Sequence, residues 1–307
     1  MPLTSTGQRR TPAAGGLVYG LGAYLMWGLF PLFWPLLEPA NPLEILACRI
    51  LFCFIVIALL LAVRHELRGL RRLDTGTVLR LCAAGILIAV NWGIYIWGVN
   101  NGHVIETSLG YFINPLVTIG LGVVILHERL RAVQWAAVGL GVVAVVVISF
   151  DYGRPPWIAL ALASSFGAYG FLKKRVRASP PEGLFIEGAA TSLPAAGILA
   201  ILALSGNATF VGHAANPGHL LLLASAGPIT AVPLLCFAGA ASRLPLSTMG
   251  LLQYVTPSLQ FVIGVLILRE TTSFVLLCGF AVIWIALAIL GFDGVRHRYQ
   301  APSPAPV

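Results

Sequence analysis

The sequence predicts an all-α integral membrane protein with ten transmembrane helices, arranged as two inverted-topology repeats of five helices each. Composition, the placement of basic residues and an internal repeat lead to this fold class. Of the 307 residues, 58% are hydrophobic and 10% are charged, whereas a soluble domain carries roughly a quarter charged residues. Apolar stretches of about twenty residues, the length that crosses a bilayer, recur along the chain. A water-soluble globular protein is therefore excluded.

Each predicted span is an apolar segment, and charged residues, proline or glycine lie at its ends. The two ends of the chain, 1–15 and 292–307, are polar and rich in proline, and they are predicted to be disordered tails. The first repeat is predicted to occupy 16–150 and the second 155–291. The ten spans are predicted, in order along the chain, at 16–37, 42–63, 77–99, 104–126, 131–150, 155–174, 183–204, 219–241, 246–268 and 272–291.

The placement of Arg and Lys predicts the orientation. With the N-terminus in the cytoplasm, 16 of the 19 basic residues fall in inner loops and tails. Arg154 and Arg269 fall outside, and Arg49 lies within the second span. Basic residues concentrate on the cytoplasmic side of membrane proteins, so both termini are predicted to be cytoplasmic. The net charge of +8 is attributed to topology and to anionic lipid headgroups, and no nucleic-acid partner is expected.

The two halves of the chain share sequence at an offset of 142 residues. The similarity is strongest where residues 108–129 align with 250–271. Identical pairs there occur more often than the one in about ten that composition alone would give. The same offset pairs Gly85 with Gly227 and Gly28 with Gly170. Since five spans is an odd number, the second half would enter the membrane from the opposite face, which predicts an inverted repeat.

Polar, aromatic and helix-breaking residues in the spans predict a substrate cavity. Proline within a membrane helix frees a carbonyl, which is tolerated only against protein or a water-filled cavity. Aromatic faces and amides suit a small amphipathic organic molecule. The alternative is that the prolines kink packed helices and the polar groups join neighbouring helices. The cavity candidates are Tyr24, Trp27, Asn91, Tyr95, Tyr111, Asn114, Gln253, Tyr254 and Gln260, with Pro115 and Pro257 as helix-bending points.

Charged residues inside the spans form a second group of candidates. Glu44 and Arg49 lie in the second span and Glu187 lies in the seventh. An ion inside a membrane is costly and usually faces the bundle interior with a partner. Glu44 and Arg49 are predicted to form a gate or coupling pair, and Glu44 or Glu187 is a candidate site for coupling to a proton or another ion. The alternative is a structural ion pair or a snorkelling side chain.

Two tryptophans are predicted to have a different role. Trp34 and Trp97 fall near the outer membrane interface in the predicted topology. Tryptophan is enriched at that level of the bilayer. Both are therefore predicted to be interfacial belt residues rather than cavity residues.

Motifs for catalysis and metal binding are lacking in the sequence. It has no P-loop, no HExxH and no His/Cys spacing typical of a metal site. No catalytic residue, cofactor or metal is therefore expected. Two other classes stay open: a non-transporting membrane sensor or scaffold, and an intramembrane enzyme acting on lipid-linked substrates. The lack of room for a sizeable soluble signalling domain argues against the sensor or scaffold. The lack of a nucleophile–base pair argues against the enzyme.

Two runs carry a resemblance to a known family: AYLMWGLFPLFWPLLEPANPLEILACRILF and NWGIYIWGVNNGHVIETSLGYFINPLVTIGLGVVILHERLRAVQW. Together with GPITAVPLLCFAGAASRLPLSTMGLLQYVTPSLQFVIGVLILRE they resemble the RarD branch of the EamA-type transporters, in the drug/metabolite transporter superfamily. The resemblance covers about residues 16–291. The matching residues of the first run are Trp27, Gly28, Pro31, Glu44 and Arg49.

The resemblance implies a ten-helix inverted-repeat carrier in the bacterial plasma (inner) membrane. It implies a secondary transporter, grouped with exporters of small organic metabolites or drugs such as chloramphenicol-like or amino-acid-like compounds. A central cavity is expected between the first, third, fourth, sixth, eighth and ninth helices, with substrate moved by alternating access. The coupling ion and the oligomeric state are left open.

Overall fold

The computed structural model describes residues 12–126, 132–151, 154–176, 178–212, 216–241, 243 and 252–300. In these ranges every regular element is helical, as the all-α prediction requires. Short 3₁₀ segments occur at Trp34–Leu37 and Glu66–Arg72, and a π-helical segment at Ile263–Ile267. The α-helices are α1 Pro12–Gly28, α2 Phe30–Phe33, α3 Pro42–Val63, α4 Thr75–Asn100, α5 Val104–Leu126, α6 Ala132–Asp151, α7 Trp157–Lys174, α8 Pro180–Leu204, α9 Thr209–Gly212, α10 Pro217–Ala241, α11 Val255–Val262 and α12 Phe274–Gln300.

Several helices have the length and hydropathy of membrane spans. Among the described residues α3, α4, α8 and the first 21 residues of α10 meet both conditions, and the bent pair formed by α1 and the segment Phe30–Leu37 adds a fifth. Shorter apolar helices lie at Val138–Ile148, Val255–Ile267 and Phe274–Ala286. The protein is therefore a helical multi-pass membrane protein.

The first predicted span is bent by 42° after Gly28. Pro31 and Pro35 follow the bend, and each is the second residue of a short helical segment. Proline has no N–H to donate and clashes with the preceding turn, so a straight helix cannot continue through this sequence. The predicted single span 16–37 is thus two segments that meet at an angle.

The chain's last helix extends past the predicted end of the tenth span at residue 291. α12 continues to Gln300, into the segment predicted to be a tail, so its boundary at 292 is corrected. The next proline after this helix is Pro302, and polar residues outside a bilayer do not oppose helix formation. Residues 1–11 and 301–307, which are also predicted to be tails, lie outside the described residues.

Helices from the two halves of the chain pack against each other. α3 lies against α8 and α10, α4 against α7 and α8, and α5 against α7 and α11. α1 lies against α10 and α11, and α6 against α12. The largest apolar core includes buried residues of α3 and α4 together with Leu162, Ala195 and Ala226 of α7, α8 and α10. The interior of the bundle is therefore built jointly by both halves.

Candidate functional site

Asn91 of α4 is the centre of a buried hydrogen-bond network. Its Nδ2 donates to the Leu162 carbonyl and to Ser165 Oγ, both at 3.0 Å. Its Oδ1 accepts a hydrogen bond from the Tyr111 hydroxyl at 3.2 Å. A fully buried amide needs such partners, because an unsatisfied polar group is costly in an apolar interior. The network joins α4, α5 and α7 and determines the orientation of the amide.

A second network joins α11 to α1 and α4. Gln260 Nε2 donates to the Tyr95 hydroxyl at 2.9 Å and to the Trp27 carbonyl at 3.1 Å. Pro31 explains why that carbonyl is available, because it has no N–H with which to make the helical bond to the residue four positions earlier. Pro31 thus leaves an acceptor available that Gln260 binds.

The two networks meet through aromatic rings. The rings of Tyr95 and Tyr111 are in edge-to-face contact with centroids 5.7 Å apart, an arrangement that aromatic pairs favour. Gln260 Oε1 is buried and accepts no hydrogen bond from the described residues. We call this assembly the central polar cluster; it comprises Asn91, Tyr95, Tyr111, Ser165 and Gln260.

Arg49 lies in an aromatic cage. Its side chain is 2% exposed, and its guanidinium carbon lies 4.0 Å from the ring centroid of Trp92 and 4.8 Å from that of Trp34. Phe30 lies at 5.5 Å. Cation–π contacts of this kind stabilise a cation by about 0.5–2 kcal/mol.

Trp34 is fully buried, so its predicted role as an interfacial belt residue is wrong, whereas Trp97 is 46% exposed.

Glu44 binds a distant segment and not Arg49, which corrects the predicted pair. Its carboxylate accepts from the backbone N–H groups of Thr209 and Phe210 at 2.9 and 3.0 Å, and from the Thr209 hydroxyl. That hydroxyl also contacts His219 Nε2 at 2.8 Å. Residues five apart on a helix do not share a face, and the backbone donors of α9 satisfy the carboxylate instead.

Glu187 of α8 forms an ion pair with Lys173 of α7. The Lys173 Nζ to Glu187 Oε1 distance is 2.5 Å, and the Tyr169 hydroxyl donates to the other carboxylate oxygen at 3.2 Å. The side chain also borders a small internal cavity of about 30 Å³, together with Trp92 and Gly85. This contact corresponds to the structural ion pair that the sequence left open as an alternative.

The other predicted cavity residues are not members of the central polar cluster. Tyr24 is buried, and its ring contacts Trp27 and Phe237 with centroids 5.6 and 6.1 Å away. Gln253 and Tyr254 are half-buried, and the described contacts place neither in the cluster. Asn114 is buried, with its amide oxygen near Gly167 of α7.

The two predicted bending points differ in their setting. α5 continues through Pro115 as one helix, and the side chain of Pro115 is outside the described set. Pro257 is buried in the first turn of α11, directly after a turn at Tyr254. Proline is tolerated in a first turn because the N–H groups there have no helical partner.

Three glutamates join the two halves at one end of the bundle. Glu44 binds the start of α9 as described above, and Glu106 of α5 accepts from Arg154 at 3.0 Å and from the Ile158 N–H at 3.1 Å. Glu270, which follows the π-helical segment, accepts from the Val104 and Ile105 N–H groups at 2.6 and 2.8 Å. We call this the glutamate end; it is defined by Glu44, Glu106 and Glu270.

Two effects act in opposite directions on the pKa of the Glu270 carboxyl. Burial raises its pKa above the usual value, while the two backbone donors favour the ionised form. These donors are unpaired N–H groups at the first turn of α5, where a negative charge is favourable. Glu270 therefore acts as a cap that the second half provides to a helix of the first.

Removal of this cap is expected to destabilise the protein. We expect Glu270→Ala to cost about 0.5–2 kcal/mol, the usual range for loss of a helix N-cap, and to lower the melting temperature in detergent. The matched control is Glu66→Ala, which removes an exposed glutamate from the opposite end of the bundle. Equal melting temperatures for the two variants would contradict the capping role.

Sequence reasoning missed several residues of the site. Ser165 and the Thr209 segment become partners only through contacts between helices that are distant in the chain. The contact of Trp92 with Arg49 was also missed; the signal for it was Arg49 itself, since an intramembrane cation needs partners and the sequence offers it few carboxylates.

Known proteins resemble the chain over most of its length. The model of the EamA-like transporter family matches residues 14–150. Protein RarD of Streptomyces exfoliatus is 52% identical over 94% of each chain. The uncharacterized transporter YojE of Bacillus subtilis (strain 168) is 41% identical, over 94% of this chain and 97% of its own. A protein crystal structure with 17% identity has a TM-score of 0.59 over 90% of this chain and 97% of that chain, a likeness of fold alone.

Membership of a transporter family agrees with the apolar helices and with the polar residues buried between them. Identity at this level over nearly the whole chain indicates a shared family and a shared general role. The protein is a multi-pass transporter of the bacterial inner membrane, with a small-molecule substrate and a lipid environment. The chain belongs to the RarD branch of the EamA family, in the drug/metabolite transporter superfamily.

Proposed function

We propose that the protein is a secondary transporter that exports small organic metabolites or drugs, such as amino-acid-like or chloramphenicol-like compounds, by alternating access. The observation that carries the proposal is the central polar cluster, which both halves of the chain build. Asn91 and Tyr95 come from the first half, whereas Ser165 and Gln260 come from the second. A movement of one half against the other would therefore change the contacts available to a bound molecule.

The packing of the helices supports two inverted repeats of five spans. If the halves are exchanged, the contact of α1 with α10 corresponds to that of α7 with α4. In the same way α3 on α10 corresponds to α8 on α4, and α5 on α7 to α11 on α1. Such paired contacts are expected when two similar units are related by a pseudo-two-fold axis. We therefore propose repeats at 16–150 and 155–291.

Two glycines paired by the 142-residue offset make equivalent contacts. A Cβ at Gly85 of α4 would lie 2.7 Å from the Glu187 carbonyl oxygen of α8. A Cβ at Gly227 of α10 would lie 2.5 Å from the Phe52 carbonyl carbon of α3. Both glycines allow close approach of helix backbones. The pair Gly28 and Gly170 does not behave alike, since only Gly28 has a close neighbour, Leu259, among the described residues.

The two ends of the bundle differ, as alternating access requires. The glutamate end is joined by hydrogen bonds between the halves. The opposite end has a cavity of about 390 Å³, lined by Tyr19, Arg64, Pro180 and Arg243 among others. The excess of basic residues at that end supports a cytoplasmic location for it and for both termini. We propose that this conformation is closed outward.

Transport by purified protein in proteoliposomes tests the proposal. We expect uptake or release of at least one compound from a panel of amphipathic metabolites and drugs, and at least ten-fold lower flux for Gln260→Ala, which loses the contacts to Tyr95 and Trp27. Ser225→Ala is the control, because its hydroxyl bonds the Leu222 carbonyl of its own helix. Absence of flux in the wild type, or unchanged flux in Gln260→Ala, would refute the proposal.

A further inference from the structure

Three buried N–H donors around Arg49 lack acceptors among the described residues. Nε and Nη1 of Arg49 and Nε1 of Trp34 are buried and form no hydrogen bond there. The Trp34 ring is one of the rings that contact the guanidinium. Buried donors are almost always paired in proteins, and an unpaired one costs about 1–3 kcal/mol. Three orphan donors in one place therefore indicate a site that receives acceptor atoms from elsewhere.

The carboxylates near Arg49 in the described part of the chain are bound to other partners. Glu44 is bound to Thr209 and Phe210, and Glu187 is paired with Lys173. Tyr95 lies in the same buried core as Trp34, and Tyr111 packs against that core; both carry hydroxyls that are ordinarily neutral. A positive charge at this depth is rarely left without a partner.

We propose that Arg49 binds the carboxylate of the transported molecule, so that the substrate class is small organic carboxylates with an apolar or aromatic part. This inference rests on the proposed transport function. A guanidinium presents a planar fork of donors that matches the two oxygens of a carboxylate. The faces of Trp92 and Phe30 complete an apolar wall around it.

The residues around Arg49 place the rest of the bound carboxylate compound at the central polar cluster. Trp34 of the aromatic cage and Tyr95 of the cluster lie in the same buried core, and Trp92 and Tyr111 pack against that core. Gln260 Oε1, also in the cluster, is a buried acceptor that receives no hydrogen bond from the described residues. A carboxylate that also carries an N–H or O–H donor would satisfy both Arg49 and Gln260.

Entry of such a molecule requires helix movement. The internal cavity beside Trp92 holds about 30 Å³, enough for about one water molecule. α4 and α8 border this cavity and touch at Gly85. Separation of these two helices would enlarge the space beside Trp92, whose ring contacts Arg49, so the molecule would bind in a different state of the transport cycle.

Binding of matched carboxylate and amide compounds tests the inference. The probes are indole-3-acetate with indole-3-acetamide and 4-hydroxyphenylacetate with its amide, added to purified protein at neutral pH while thermal stability is measured. A ligand that binds the folded state raises its stability in proportion to the logarithm of concentration over Kd. We expect at least one carboxylate to bind at least ten-fold more tightly than its amide.

Substitution of Arg49 separates a ligand-binding role from a structural one. Arg49→Met should abolish the preference for the carboxylate, and the ligand-free variant should melt at or above the wild-type temperature, because an unpaired buried charge has been replaced by an apolar side chain. Arg49→Lys should keep part of the preference. The control is Arg80→Gln, an exposed arginine of α4, which should behave as the wild type.

Three outcomes would overturn the inference: no probe carboxylate binds the wild type, carboxylate and amide bind equally, or Arg49→Met keeps the preference. Flux of neutral compounds only would overturn it while leaving the transport function intact. Carboxylate binding through Arg49 without any flux would instead refute the transport function and retain the anion site.

Discussion

Gly227→Ala is expected to lower the melting temperature of the protein by several degrees, although it adds a single methyl group. The new Cβ would lie 2.4 Å from the Phe52 Cβ and 2.8 Å from the Cys53 backbone nitrogen, closer than non-bonded atoms approach. The nearest atoms are backbone or Cβ, so no side-chain rotation relieves the clash. Overpacking of this kind costs typically about 1–3 kcal/mol, because α3 and α10 must move apart.

Thermal unfolding in detergent measures this effect. Gly85→Ala should have a similar effect, since its Cβ would meet the Glu187 backbone at 2.7 Å. Gly197→Ala of α8 is the control, because no atom of the described residues lies within 4 Å of its Cβ position and alanine favours helices by about 1 kcal/mol over glycine. A melting temperature of Gly227→Ala equal to that of Gly197→Ala would contradict the proposed close approach.

Asn91→Leu is expected to reduce both stability and transport. The substitution leaves the Tyr111 hydroxyl without its acceptor and removes one of the donors to the Leu162 carbonyl, which keeps the Ser165 hydroxyl. Each buried group left unsatisfied costs about 1–3 kcal/mol, and the positions of α4, α5 and α7 relative to one another depend on these bonds. We expect transport at least ten-fold below the wild type and a lower melting temperature.

A double-mutant cycle distinguishes loss of the network from simple loss of volume. Addition of Tyr111→Phe to Asn91→Leu removes the orphaned hydroxyl, so the double variant should be less destabilised than the sum of the single variants. Ser165→Ala should be mild, because Asn91 Nδ2 keeps its bond to the Leu162 carbonyl. Strictly additive effects of Asn91→Leu and Tyr111→Phe would show that the two side chains do not interact as described.

Helix positions could be predicted closely from the sequence because the bilayer makes hydrophobicity a strong signal. α3 begins and ends at the predicted residues, and α5 begins at the predicted residue. The bend after Gly28 was less accessible: a hydropathy window treats Pro31 and Pro35 as part of one apolar segment, although each prevents a straight helix.

Most residues of the central polar cluster were already candidates from the sequence. Asn91, Tyr95, Tyr111 and Gln260 were candidates, and the structure brings all four into one cluster. Glu44 and Arg49 were wrongly paired because spacing within one helix was the available criterion. The partner of Glu44 comes from residues 209–210, which are far away in the chain.

The sequence by itself determined the membrane class, the all-helical fold, the family and the type of residue in the interior. These properties depend on local hydrophobicity, on charge next to apolar segments and on motifs, and each of these is a property of neighbouring residues in the sequence. Only the tertiary structure decided which carboxylate meets which donor, and that the guanidinium of Arg49 lies among the rings of Trp34, Trp92 and Phe30. The physical reason is that hydrogen bonds and ion pairs act over about 3–4 Å, so their partners are set by the packing of distant helices and not by proximity in the sequence.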